Sequence, residues 1–439
     1  LYLSLPVFLA AMKPASRIEA TIEILKRDQD IGLPLDSVVG DYMRQRRYIG
    51  SKDRHDISNR IYEMARVHAK LCWWLDRLKT KDSPRIRVLA WLAIGEQADL
   101  KRLNELFDGS KYAPEKLNEK EQELAKKLVG KPLFHKDMPD IVQLECPAEY
   151  EQTLKDIFGE NFDEEMTAML EPATLDLRVN IFLQDREAVK ALLEKDNVET
   201  TETPYSPWGL RCAKKTYLTK TKAMNKGFIE IQDEGSQLIA YLANVQPGMQ
   251  VLDYCAGAGG KTLALASAMQ RKGRIVAMDT EERRLEKGRR RYKKAQLADI
   301  IEVRPLSDQK NRKWLRRQKG TFDLVLTDVP CSGTGTWRRN PDMRWRTYGP
   351  SVEELTVIQA EIMEKVAHTV KVGGKFVYAT CSLLPQENEL QIENFLKNHP
   401  EFEVLLLEEE LGLGSPFMRL TPYRHNTDGF FAAVLVRKS

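Results

Sequence analysis

Apolar residues recur at i, i+3 and i+4 spacing in Ile18-Ile22-Ile24-Leu25, Ile57-Ile61-Met64-Val67 and Val88-Leu89-Leu92. That periodicity predicts amphipathic helices from Ala15 to about Lys127, without strand-like alternation. Ser51 stands where an N-cap would open the second of these helices. After Ile94 the pattern turns charged and irregular, which predicts an abbreviated first helical core, and a Lys- and Glu-rich stretch, Lys116–Lys127, leads into Pro132 and Pro139.

The period then changes. Pro147–Phe158 and Phe162–Leu170 are predicted helices, Leu175–Ile181 a strand and Asp185–Lys195 a helix, so residues 145–235 suit a small α+β module. From Asp233 onward short apolar runs alternate with helical stretches: Gln250–Tyr254, Arg274–Asp279, Ile300–Val303, Asp323–Thr327, Lys375–Thr380, Phe402–Leu406 and Gly429–Val436. Such alternation predicts an α/β fold with a mostly parallel, doubly wound sheet. Three domains are expected, at 13–140 (all helical), 145–235 and 236–439, which fits the prior for 439 residues.

Composition narrows the class. Six cysteines without a CxxC pair and six histidines indicate neither a zinc site nor a disulfide framework, so no metal and a reducing, cytoplasmic compartment are expected. The apolar opening Leu1–Ala11 has no charged residue before it and is too short to span a bilayer. It is expected to be an upstream extension or packed tail, with Met12 a more natural start, and no membrane association is foreseen. Net charge is only +4, but Arg283–Lys294 holds eight basic residues in twelve and Lys310–Lys319 six in ten. With Lys214, Lys215, Lys220, Lys222 and Lys226, and with Arg338, Arg339, Arg344 and Arg346, these runs suggest a track for a polyanion such as RNA.

Between the first α/β strand and its helix lies Asp253-Tyr254-Cys255-Ala256-Gly257-Ala258-Gly259-Gly260-Lys261-Thr262. Glycines here let a ligand approach backbone N–H groups at a helix N-terminus. A nucleotide P-loop would need glycine where Cys255 stands, and the dinucleotide fingerprint would need its third glycine at Thr262. Asp279 ends the second strand, twenty-two residues after Gly257, and Asp308 follows the third. Carboxylates in that order suit ribose hydroxyls and a base amine, hence an adenosine ligand such as S-adenosylmethionine.

Two cysteines follow later strands, Cys331 in Asp328-Val329-Pro330-Cys331-Ser332 and Cys381 in Ala379-Thr380-Cys381-Ser382. Beside a methyl donor, paired thiols suit methylation at carbon 5 of cytosine. A thiolate adds to C6 and makes C5 nucleophilic, and later elimination restores the ring. The chemistry needs a reactive thiolate, a hydrogen-bonding group at the base edge and an aid to elimination, which Cys381, Asp328 and Cys331 can supply among them. Cys72, Cys146 and Cys212 are expected to be buried apolar residues.

DVPCSGTGTWRRNPD (Asp328–Asp342), YATCSLLPQENE (Tyr378–Glu389) and CAGAGGKT (Cys255–Thr262) resemble the motifs of the RsmB/Nop/NSUN family of RNA 5-cytosine methyltransferases, also called the Fmu or Sun group. Ser51–Leu75 is similar to the NusB-like RNA-binding domain of its bacterial RsmB branch, and the middle module to that branch's RRM-like domain. The resemblance implies a Rossmann-like class I methyltransferase domain, S-adenosylmethionine as cofactor, a monomer, and RNA as substrate, 16S ribosomal RNA first and tRNA as the alternative. It implies that Cys381 is the nucleophile and Cys331 the cysteine of product release. Cys255, Ala256, Gly257, Ala258, Gly259, Gly260, Lys261, Asp279, Arg284, Asp308 and Asp328 would line the cofactor site, with Asp328 also near the target base. The family's usual Ala-Pro is replaced here by Gly257-Ala258. A DNA methyltransferase would attack through Cys331 and leave Cys381 without a part, and a non-catalytic RNA-binding assembly factor would retain the fold alone.

Overall fold

A computed structural model describes residues 11–345, 348–407, 412–414 and 416–439. The opening residues 1–10 and Arg346 thus lie outside the described residues. Chain contacts divide the molecule into two units, the first reaching to Leu170 and also taking in Asn340–Gly349, the second comprising Glu171–Arg339 and Pro350–Ser439.

In the first unit the apolar stripes read from periodicity become one core. Ile18, Ile22 and Leu25 of the helix Pro14–Ile31 pack with Ile57, Ile61 and Met64 of Ser51–Arg66 and with Val88, Leu89 and Leu92. Two expectations are corrected. Gly50, in extended backbone, is the N-cap of the Ser51–Arg66 helix, and Ser51 is its exposed first residue, because the chain turns helical one residue earlier than the serine rule places it. The helical core also does not thin out after Ile94. Leu100–Leu106 and Glu119–Leu128 are helices that bury Leu103, Leu106, Leu124, Ala125 and Leu128 in the same cluster. The lysines and glutamates masking that pattern lie mostly on the outer face, and Asn118 with Glu121 forms a capping box at its start.

Asn340–Gly349 is anchored within this unit. Asp342 accepts a hydrogen bond from the Leu35 amide at 3.1 Å, the Trp345 ring lies 5.1 Å from His68, and Arg344 is buried with its guanidinium donating to the Met169 carbonyl at 3.3 Å.

The second unit holds two sheets. The smaller is antiparallel, ordered β2-β3-β1-β4, from β1 (Asp176–Val179), β2 (Thr200–Glu202), β3 (Gly209–Cys212) and β4 (Ile229–Ile231), with Leu177, Val179, Leu210 and Ile229 in its core beside Val189 and Leu193 of the helix Arg186–Lys195.

The larger sheet, eight-stranded among the described residues, uses β5 (Gln250–Asp253), β6 (Arg274–Asp279), β7 (Ile301–Pro305), β8 (Phe322–Asp328), β9 (Val370–Thr380), β10 (Phe402–Val404), β11 (Met418–Leu420) and β12 (Phe430–Arg437). Its order is β10-β12-β9-β8-β5-β6-β7, with β11 also on β12. The pairs from β9 to β7 are parallel and those made by β12 antiparallel. Alternation along the strands feeds two cores. Val251, Ile275, Ala277, Leu324 and Val377 pack with Leu263 and Leu285, whereas Leu252, Val276, Val325 and Phe376 pack with Leu315, Met363 and Ile392. Connections diverge to either side of β5 and β8, so their carboxyl ends open a crevice where ligands of such sheets bind.

This arrangement separates the two basic runs. The helix Glu282–Lys294 lies on the face of Leu285 and the helix Gln309–Arg316 on the face of Leu315. They therefore do not form the single polyanion track read from the sequence. Arg338, Arg339 and Arg344 leave that track as well. Arg338 and Arg339 bind Asp233 and Asp428 in a largely buried cluster, and Arg344 is buried in the first unit. Arginines in those positions satisfy internal carboxylates and carbonyls, which a sequence count of charge does not register.

Candidate active site

The glycine loop is held by its neighbours in the sheet. The Tyr254 amide donates to the Leu326 carbonyl and the Ala256 amide to the Met278 carbonyl, each at 2.9 Å. Gly259 caps the helix Gly260–Ala268 with φ +80°, and a Cβ there would fall 2.1 Å from the Tyr292 hydroxyl, so glycine is required. Gly257, at φ +55°, meets the guanidinium of Arg284, whose Nη2 would lie 2.6 Å from an added Cβ. Arg284 is thus brought against the loop from the helix Glu282–Lys294.

Asp279 sits at the end of β6 and accepts from the Gly257 amide at 2.7 Å and the Glu281 amide at 2.8 Å. It shapes the loop as well as facing the crevice. Asp308 is exposed and caps the helix Gln309–Arg316, accepting from the Lys310 amide at 2.8 Å. Cys255 is half-buried, and burial, aided by Asp279, Asp328 and Asp253, pushes its thiol well above the ordinary range.

Several residues of this region carry no motif signal as functional positions. Asp253 accepts from the Thr262 hydroxyl at 2.6 Å, and burial pushes its carboxyl up to about 7. Arg178 on β1 donates to the Gly260 carbonyl at 2.7 Å and to the Gln232 side chain, and burial brings its guanidinium down to about 10. Asn180 receives the Ser267 hydroxyl at 2.9 Å and donates to the Ala295 carbonyl at 3.1 Å. Arg178 and Asn180 tie the small sheet to the loop helix, a placement that only folding reveals.

Across the crevice, Lys261 Nζ donates to Asp328 Oδ2 at 2.6 Å, and the lysine is largely buried. Asp328 ends β8 and stands in register with Ala379 of β9. Continuing from these paired strand ends, Cys331 and Cys381 approach to 3.4 Å between sulfur atoms. Contact with Cys381, then burial, pushes the Cys331 thiol well above its ordinary value.

A buried polar frame supports both thiols. Glu387 accepts from the Ser332 amide at 2.8 Å, from the Ser332 hydroxyl, and from Gln359 at 3.0 Å. Asn388 receives the Thr380 hydroxyl at 2.6 Å and donates to the Ser382 carbonyl at 2.9 Å. The Gly335 amide donates to the Cys381 carbonyl at 2.9 Å, and the Gly429 amide donates in turn to the Gly335 carbonyl at 2.7 Å. Glu387 and Asn388 carry a signal only as part of the Pro-Gln-Glu-Asn-Glu run after Cys381, and Thr334 only as part of the motif around Cys331, whereas Gln359, on the helix Val352–Ala367, has none.

Residues 240–436 match the model of the 16S rRNA methyltransferase RsmB/F family, and residues 147–219 that of a ferredoxin-like domain of RsmF/B-like methyltransferases. The ribosomal RNA small subunit methyltransferase B of Pectobacterium atrosepticum is 35% identical over 263 residues, 60% of this chain and 59% of the relative. A probable ribosomal RNA small subunit methyltransferase B of Synechocystis is 34% identical over 60% of each chain. The chain belongs to the RsmB/NOP/NSUN methyltransferase family. The match spans about three fifths of these curated relatives. For this RsmB/NOP/NSUN member, the crystal structure of PH0851 aligns over 97% of the chain and 99% of its own, at 25% identity and a TM-score of 0.78. A methyltransferase homolog from Pyrococcus horikoshii aligns over 68% and 98%, at 28% identity and a TM-score of 0.58. NSun6 from Pyrococcus horikoshii, crystallised with SFG, shares the fold at 20% identity and a TM-score of 0.57, over 67% of this chain and 98% of its own. The larger sheet is thus the Rossmann-like fold of a methyltransferase.

Proposed function

We propose that this protein transfers a methyl group from S-adenosylmethionine to C5 of a cytosine in 16S ribosomal RNA, through a covalent adduct between Cys381 and C6. The observation that carries the reading is the pair of thiols 3.4 Å apart at the ends of β8 and β9, beside the Lys261–Asp328 pair. The names of the ribosomal relatives favour ribosomal RNA over tRNA.

The Gly257–Gly260 turn with its helix N-terminus, together with Asp279, suits the carboxylate and ribose of S-adenosylmethionine. When bound, that cofactor supplies an electrophilic methyl group. The chain's own residues do the rest. Asp328, oriented by Lys261, receives the amine edge of the base. Cys381 attacks C6, and the electron pair shifts to C5, which accepts the methyl group. Solvent water then takes the C5 proton, and its electron pair re-forms the C5–C6 double bond as the C6–S bond breaks. Cys331, held as a neutral thiol, donates to the departing Cys381 thiolate and so assists release.

We also assign RNA holding to the helical domain 13–140 and the module 145–235, in a monomer working in the reducing cytoplasm. None of the described helices is long and apolar enough to cross a membrane. Lys214, Lys215, Lys220, Lys222 and Lys226 are exposed, and Lys226 adjoins the end of the basic helix Glu282–Lys294, since Gly227 packs on the Lys294 carbonyl. This patch provides phosphate contacts.

The test combines variants with mapping. Cys381→Ala should abolish turnover, while Cys331→Ala should accumulate a denaturation-resistant protein–RNA adduct. Bisulfite sequencing with and without the gene should lose one 5-methylcytosine from 16S RNA. Loss from tRNA instead would transfer the reading to that substrate. RNA binding without cofactor binding or any adduct would leave a non-catalytic factor.

A further inference from the structure

Two thiols in contact at one site cannot both ionise without strong mutual repulsion. Something must decide which carries the charge. The two cysteine loops are gripped by adjacent residues. Glu387 takes the backbone and side chain of Ser332, next to Cys331, whereas Asn388 takes Thr380 and Ser382, on either side of Cys381. The acidic partner thus serves the Cys331 loop and the neutral one serves the Cys381 loop. Glu387 and Asn388 are both almost fully buried. The titratable groups facing Cys331 are Cys381, Glu387 and Tyr378, whose hydroxyl is engaged by the Glu387 carbonyl.

We propose that Glu387 is a positioning residue that selects the nucleophile: its carboxylate keeps Cys331 protonated as a donor to Cys381, so that negative charge collects on Cys381. This rests on the reading of Cys381 as the attacking thiol. A negative charge fixed beside Cys331 opposes its ionisation, and Gln359 and Ser332 hold that charge in place. Cys331 then has the proton that the departing thiolate needs.

The experiment is site-resolved alkylation of the full-length protein by iodoacetamide between pH 6 and 10, with the two cysteine peptides quantified by mass spectrometry. It needs neither RNA nor cofactor, so it can fail independently of the methyl-transfer reading. In the wild type, modification of Cys381 should exceed that of Cys331 at pH 8. In Glu387→Gln, which preserves length and removes the negative charge while exchanging one acceptor oxygen for an NH2 donor that the Ser332 hydroxyl can accept, the Cys331 midpoint should fall by about one pH unit, a tenfold gain in reactive thiolate. The same fall should appear when Glu387→Gln is added to Cys381→Ala, which removes the sulfur–sulfur contact. Unchanged Cys331 midpoints in both backgrounds, with folding intact by circular dichroism, would overturn the proposal. If Glu387→Gln fails to fold, Gln359→Leu offers a second test, because removing the Nε2 donor to Glu387 should loosen the carboxylate and also lower the Cys331 midpoint. A midpoint unmoved there would equally count against the proposal.

Discussion

At the residue scale, the glycine loop separates two kinds of requirement. Gly257 and Gly259 both have positive φ, yet an added Cβ meets a mobile guanidinium end at the first and a buried tyrosine ring at the second. Gly257→Ala should cost about 1 kcal/mol, the strain of a left-handed alanine. Gly259→Ala should cost about 3 kcal/mol, because Tyr292 has no free space to enter. Urea denaturation of the two variants checks the difference, and titration with S-adenosylmethionine should show weaker binding in both. Equal losses of stability would mean that the loop, and not the tyrosine behind it, sets the requirement. The motif names these glycines in the sequence; Tyr292, thirty-three residues later, is nowhere near them until the helix Glu282–Lys294 packs on the loop.

At the scale of elements, the helix Pro14–Ile31 carries Asp28 near the Asn340–Gly349 segment of the same unit. Burial, followed by the charge of Asp342, pushes the Asp28 carboxyl up to about 6 from an ordinary 3.8. Burial brings His68, beside Trp345, down to about 4 from 6.5. The signs oppose each other. A raised carboxyl contributes stability that is present below about pH 4 and lost as pH rises through about 6. A lowered histidine contributes stability that is present above about 6.5 and lost as pH falls through about 4. Asp28→Asn should therefore stabilise this helix by about 1–2 kcal/mol at pH 8, allowing for partial exposure, and by almost nothing near pH 4. Hydrogen exchange of the Pro14–Ile31 amides measures it, and a gain that is constant with pH would contradict the assigned titration. Element boundaries were largely legible here because packing reinforces periodicity. At Glu119–Leu128 the helical region read to about Lys127 holds, but charge on the solvent face hid the buried stripe of Leu124, Ala125 and Leu128.

At the scale of the whole molecule, surface charge and buried charge obey different rules. Lys287, Arg290 and Lys293 project from the exposed side of the Glu282–Lys294 helix. Replacing all three with glutamine should lower the slope of log affinity for RNA against log salt by roughly 2–3, with folding unchanged. Arg338 is buried against Asp428 at 2.8 Å. Arg338→Gln should cost about 3 kcal/mol by leaving the buried Asp428 and Asp233 with Arg339 as their one remaining guanidinium, irrespective of RNA. Salt-dependent binding curves and thermal unfolding distinguish the two. An arginine count along the chain had treated these residues as one class, and only their burial divides them.

The sequence by itself determined the strand–helix alternation, the motifs around Cys331 and Cys381, the glycine loop and the family they identify, since each depends on residues close together in the chain. Tertiary structure decided what lies beside them. It set the 3.4 Å approach of the two sulfurs, the Lys261–Asp328 pair, the separation of the basic helices to opposite faces, and the enclosure of the thiol loops by Glu387 and Asn388. Parallel strands bring together the ends of segments fifty or more residues apart, and burial then converts those meetings into altered charge and fixed orientation.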